Sequence, residues 1–108
     1  MDTIKDKVEE LIAAIQESAE YQNFQAAGER VKDIDGLEDK VREFCWKNYE
    51  LQKSNAEDLY EKVEAFEEQY RGFRENPIVS EYLEYELRMC RLLQEINTRI
   101  TSSVDLMI

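Results

Sequence analysis

From its first residues the chain sets apolar side chains three and four positions apart and fills the intervals with charge. Ile4, Val8, Leu11, Ile12, Ile15 and Ala19 recur in this way behind Thr3, which with Asp6 three residues on can cap a helix. Ser18 offers a cap for a second segment, in which Tyr21, Phe24, Gly28 and Val31 follow; Gly28 would permit close helix approach. The alternative is that the two segments run on as one helix through residue 18. Asp35-Gly36-Leu37-Glu38 supplies a break and then a cap, and the helix behind it carries the seam Leu37, Val41, Phe44, Asn48 and Leu51 to about Lys53. Ser54-Asn55-Ala56-Glu57 is a further capping box, opening a helix with the seam Leu59, Val63, Phe66, Tyr70 and Phe73. Two stripes of the same spacing joined by a short connection predict an antiparallel hairpin, or else an end-to-end pair with a kink.

Asn76-Pro77 is the sharpest boundary. Proline cannot supply the backbone donor needed inside a helix, yet it suits the first helical position with Asn76 as cap. Nothing then interrupts the pattern to about Ser103, a helix on the order of 40 Å long. This helix carries two stripes. One is Ile78, Tyr82, Tyr85, Met89, Leu92 and Ile96; the other is Val79, Leu83, Glu86, Cys90, Leu93, Asn97, Ile100, Val104 and Met107, displaced by about 100°. Such a helix contacts neighbours on two sides. Either both stripes serve a monomeric core, or one faces a second subunit, the expectation here being a homodimer. Glu86 and Asn97 are the polar positions of the second stripe, where a polar group costs stability and can fix register or partner choice.

Composition agrees with this reading. In 108 residues there are 3 Gly and 1 Pro, too few for the turns of a β-sandwich or barrel, so the expected fold is all-α: one domain over residues 1–108, a bundle of four to five helices with a long C-terminal helix. There is no His, which removes the commonest general base and metal ligand together. No catalytic residue, metal site or cofactor is therefore nominated, and the expectation is a protein that is not an enzyme. The net charge of −11 opposes direct binding to nucleic acid or to an anionic membrane. The N-terminus lacks the features of a secretory signal, and no apolar run approaches a membrane span, so a cytoplasmic location is expected.

The remaining candidates concern contacts. Arg42, Trp46, Tyr49 and Lys53 share a face of the third segment outside its seam, where they form a partner surface or pack under the first or second helix. With Tyr82, Tyr85, Glu86, Met89 and Asn97 of the last helix, Trp46 and Tyr49 make up the candidate interface. Cys45 and Cys90 lie on or beside apolar seams and read as core positions. The acids from Glu57 to Glu68 read as a solvated helix face with an Asp58 to Lys62 pair, or as a docking face for a basic partner.

The segment Arg71 to Ile100, with Asn76-Pro77 opening a long helix, then Glu81-Tyr82-Leu83-Glu84 and Leu92-Leu93-Gln94-Glu95-Ile96, resembles the C-terminal half of the YlbF/YmcA family of small helical bacterial proteins. Ile15-Gln16-Glu17-Ser18-Ala19-Glu20-Tyr21 followed by Phe24 is similar to the family's N-terminal pattern, so the resemblance covers nearly the whole chain. It implies an all-α regulatory or accessory subunit that works through protein partners. Its best-known members act in a complex that influences ribonuclease Y, messenger RNA processing, competence, sporulation and biofilm development. Some members of that complex carry cysteines associated with iron–sulfur clusters. This chain has no Cys-rich tail at Val104-Asp105-Leu106-Met107-Ile108, so no cluster is expected. The other expectation open to these residues is a homo-oligomeric structural or chaperone-like hairpin.

Overall fold

The computed structural model describes residues 2–54 and 57–105. Among the described residues there are six helices and no strand: α1 (Thr3–Glu17), α2 (Ala19–Lys32), α3 (Leu37–Lys53), α4 (Leu59–Gln69), α5 (Arg71–Glu75) and α6 (Pro77–Ser103). The all-α class and the long last helix are as the pattern predicts. The expected four to five helices become six because the segment from Leu59 to Phe73 is broken at Tyr70.

Local chemistry explains most boundaries. Asp2, not Thr3, caps α1, its carboxylate accepting from the backbone N–H of Ile4 at 3.1 Å and of Lys5 at 3.3 Å. Ser18 separates α1 from α2: its hydroxyl accepts from the N–H of Tyr21 at 3.2 Å and donates to the carbonyl of Ile15 at 2.6 Å, so a continuous helix is excluded. Before α3 the capping position belongs to Gly36, not Asp35. Its φ of 77° lies in the left-handed region that glycine enters without steric cost, and no side chain caps this helix. Ser54 ends α3, and Asn55 and Ala56 lie outside the described residues. The expected box there does not start the next helix, since α4 begins only at Leu59, after Asp58. Asn76 performs as predicted, accepting from the N–H of Ile78 at 2.9 Å with Pro77 in the first helical position.

The break at Tyr70 has a packing cause. On a straight helix Phe66 and Phe73 would stand about 10 Å apart along the axis. The turn at Tyr70 gathers the rings of Phe66, Tyr70 and Phe73 around buried Phe44 of α3, with centroids 5.4, 5.1 and 5.5 Å away. This also fixes the α3–α4 pair as an antiparallel hairpin.

Beside it, α2 runs antiparallel to α6. Phe24 meets Tyr82 at 5.4 Å, Arg30 pairs with Glu81, and Ala19 and Glu20 border the same cavity as Leu92 and Glu95. A Cβ at Gly28 would sit 3.8 Å from the Tyr82 ring, an ordinary contact, so this crossing does not require glycine. Val31, Leu37, Val41 and Val79 form the centre of the core, where the end of α2 meets the starts of α3 and α6, and Cys45, Phe73, Ile78, Tyr82 and Leu83 pack around them.

The core occupies only part of the molecule. Among the described residues the buried hydrophobic side chains all lie between Ala27 and Met89; α1 contributes none, and α6 none beyond Met89. The radius of gyration is 17.6 Å, against about 13 Å for a compact domain of this length. Overall extents are 52 × 39 × 19 Å. No helix among the described residues is long and apolar enough to cross a membrane.

Candidate protein-interaction surface

Two of the nominated residues stand in solvent on α3. Its core face holds Leu37, Val41 and Phe44, which leaves Trp46 and Tyr49 on the outside, 60% and 53% exposed. Their rings stack with centroids 5.9 Å apart. The Lys53 ammonium lies 5.0 Å over the Tyr49 ring and donates to its hydroxyl at 3.1 Å. Arg42 does not join them, being paired with Glu38 one turn earlier. These aromatics do not pack under the first or second helix but stand in solvent.

Tyr49 also borders a cleft of about 400 Å³ between α3 and α6, walled by Phe44, Cys45 and Asn48 on one side and Leu83, Glu86, Leu87 and Cys90 on the other. Glu86 is half-buried on that wall, and burial raises its carboxyl above the usual range. Burial, with the Glu86 charge adding to it, pushes the Cys45 thiol up to about 11. A thiol so disposed is a poor nucleophile and a poor metal ligand. Cys90 is exposed rather than core, on the second stripe of α6 beyond the core positions Val79 and Leu83. Among the described residues no group of three or more His, Cys, Asp or Glu is placed to hold a metal ion.

The other nominated residues separate. Met89 is buried, so it belongs to the chain's own packing and not to an outward interface. Tyr82 is half-buried between Phe24 and the core, and burial raises its hydroxyl. Tyr85 is half-buried with the Arg88 guanidinium 5.5 Å over its ring, while Asn97, on the second stripe, is exposed. Leu87, 48% exposed on the cleft, belongs to neither stripe of the last helix. The signal for it exists: it follows Leu83 by four and precedes Cys90 by three, a second way to thread the same seam. The acids of α4 are exposed, and Lys62 lies 3.6 Å from Asp58 as the spacing predicts.

The description "Control of competence regulator ComK, YlbF/YmcA" names the family whose sequence pattern matches residues 4–105. The chain belongs to the YlbF/YmcA family. The chain is also similar to relatives named UPF0342 protein. That of Caldicellulosiruptor saccharolyticus is 30% identical over 98% of this chain and 91% of its own length. Those of Desulfitobacterium hafniense and Symbiobacterium thermophilum are 30% and 31% identical over 94% and 93% of this chain and 85% and 92% of theirs. No solved structure matches the chain. The YlbF/YmcA resemblance read from Asn76-Pro77 and the last helix is thus borne out, and the family description is that of a regulator.

Proposed function

We propose that this protein is a non-catalytic regulatory subunit that acts by binding other proteins, in complexes of the kind through which its family influences ribonuclease Y, messenger RNA processing and development. The observation that carries the reading is the exposed Trp46–Tyr49–Lys53 platform beside an apolar cleft, an aromatic and cationic composition typical of binding hot spots. The fitting partner is a protein whose contact face is apolar with a basic flank, since the chain carries −11 and the acids of α4 are exposed. Direct contact with RNA is disfavoured by the same charge, so any effect on RNA runs through the partner. The site of action is the cytoplasm.

The test is capture with a tagged chain from a native lysate, run in parallel with a Trp46→Ala, Tyr49→Ala double variant that retains its helical circular dichroism. The expected result is a defined set of proteins recovered with the unaltered chain and lost with the variant. Recovery of no protein, or an identical set with both chains, would falsify the reading.

A further inference from the structure

Glu86 is an acid on a stripe that is otherwise apolar where it meets the core. It follows Val79 and Leu83, and with Leu83 and Leu87 it lines the cleft opposite Phe44 and Tyr49 of α3. Its carboxyl is half-withdrawn from water, and nothing in the chain offsets that: burial is the sole cause of its shift, with no hydrogen bond or neighbouring cation contributing. Arg74, the cation that also borders the cleft, lies instead 5.8 Å over the Phe44 ring. Among the described residues no fully buried side-chain oxygen or nitrogen lacks a partner, so the Glu86 oxygens are reachable from the cleft.

We propose that this cleft receives a lysine or arginine side chain of the protein partner, its stem on Leu83 and Leu87 and its charged head on the Glu86 carboxylate. The proposal rests on the partner reading and names what that partner inserts. Charge selects a cation, because an acid held partly out of water without a counter-charge is stabilised by one that arrives from outside. Shape selects a long basic side chain: a cleft of about 400 Å³ with apolar walls and one carboxylate matches an apolar stem that ends in a charge. Continuity selects a protein as the source. Tyr49 belongs both to the stacked pair with Trp46 and to the rim of the cleft, so a group entering beside Glu86 extends from a surface lying on that pair.

Three probes with one apolar stem test the cleft on the full chain. Phenylbutylamine, phenylbutanol and phenylbutyrate carry a positive, a neutral and a negative head at neutral pH. Backbone amide NMR shifts are followed at millimolar concentration, the affinity range of ligands this small. The amine is expected to shift Asn48, Leu83 and Leu87 and to bind about tenfold more tightly than the alcohol, the acid more weakly than either. Glu86→Gln, with its helical circular dichroism retained, should bring amine and alcohol to one affinity. Glu9→Gln, the same loss of charge at an exposed position of α1, should leave the preference in place. Equal affinity of the parent chain for amine and alcohol, a preference that survives Glu86→Gln, or shifts confined to other residues would overturn the proposal.

In the capture experiment Glu86→Gln should lose the proteins that the Trp46→Ala, Tyr49→Ala variant loses, and Glu9→Gln should keep them. An amine preference with undiminished capture by Glu86→Gln would assign the cleft to a free amine and also overturn the proposal. Recovery of no protein by the parent chain would remove the partner reading and this proposal with it, and the probes, which need no partner, distinguish that result from a failure of the cleft.

Discussion

Phe44 and Trp46 stand two residues apart on α3 and should respond to truncation to very different degrees. Phe44 is 5% exposed and its ring meets those of Phe66, Tyr70 and Phe73 at centroid distances of 5.1 to 5.5 Å, with the Arg74 guanidinium at 5.8 Å. Phe44→Ala therefore removes a buried ring and leaves three others without their common neighbour. Typical losses for such a change are about 3–5 kcal/mol, and the clustered rings place this one near ~4 kcal/mol. That is a large share of the ~5–15 kcal/mol that holds a domain together. Trp46 is 60% exposed and touches chiefly Tyr49, so Trp46→Ala should cost about 1 kcal/mol or less. Urea unfolding followed by far-UV circular dichroism is the appropriate assay, because Trp46 is the only tryptophan and its loss removes the fluorescence signal. With a slope of about 1.5 kcal/mol/M, Phe44→Ala should lower the midpoint by roughly 2.5 M and Trp46→Ala by well under 1 M. Protein concentration is held fixed, since association would shift both curves. A loss below ~1.5 kcal/mol for Phe44→Ala, or a reversed ranking, would refute the aromatic cluster as the organiser of the hairpin.

Glu86 gives a pH-dependent prediction. Its folded carboxyl is raised by burial, so the unfolded chain ionises first and a penalty on folding accumulates as pH rises from the unfolded value of about 4.5 upward. Glu86→Gln should therefore stabilise the protein at pH ~7 and lose that advantage at pH ~4; an equal effect at both pH values would contradict the assignment. Gly28→Ala should stabilise by about 0.5–1 kcal/mol, because the new methyl meets Tyr82 at an ordinary 3.8 Å while helix propensity improves, and a measured destabilisation would mean the α2–α6 crossing is tighter than described. In thiol titration at pH ~8, Cys45 with its value of about 11 is thiolate in only about one molecule in a thousand. One fast equivalent from exposed Cys90 and a second released only by denaturant are expected; two fast equivalents would show that the α3–α6 wall opens readily.

Signals confined to neighbouring residues were legible in the sequence. Asn76-Pro77 and Ser18 each act within three residues of themselves, and both behave as read. Asp2 displaced Thr3 because two acceptors competed for the same free N–H groups and the one outside the helix reached them. The break at Tyr70 could not be read from the chain. It depends on Phe44, more than twenty residues earlier in sequence, drawing three rings inward. The interface candidates divided for the same reason. Periodicity placed Tyr82, Met89 and Asn97 on stripes, but whether α2 covers a given stretch of α6 is decided by where α2 ends against it, so Met89 is covered and Asn97 is not.

The position of that ending also decides which part of the chain is self-sufficient. From Ala27 to Met89 the chain supplies its own core, and among the described residues α6 has no buried side chain beyond Met89. The Trp46 platform and its cleft stand on the self-sufficient part, built from α3 and the middle of α6. A contact made there rests on a backbone that the core already holds, so partner capture by the platform should survive a substitution at the exposed end of α6 such as Ile100→Glu.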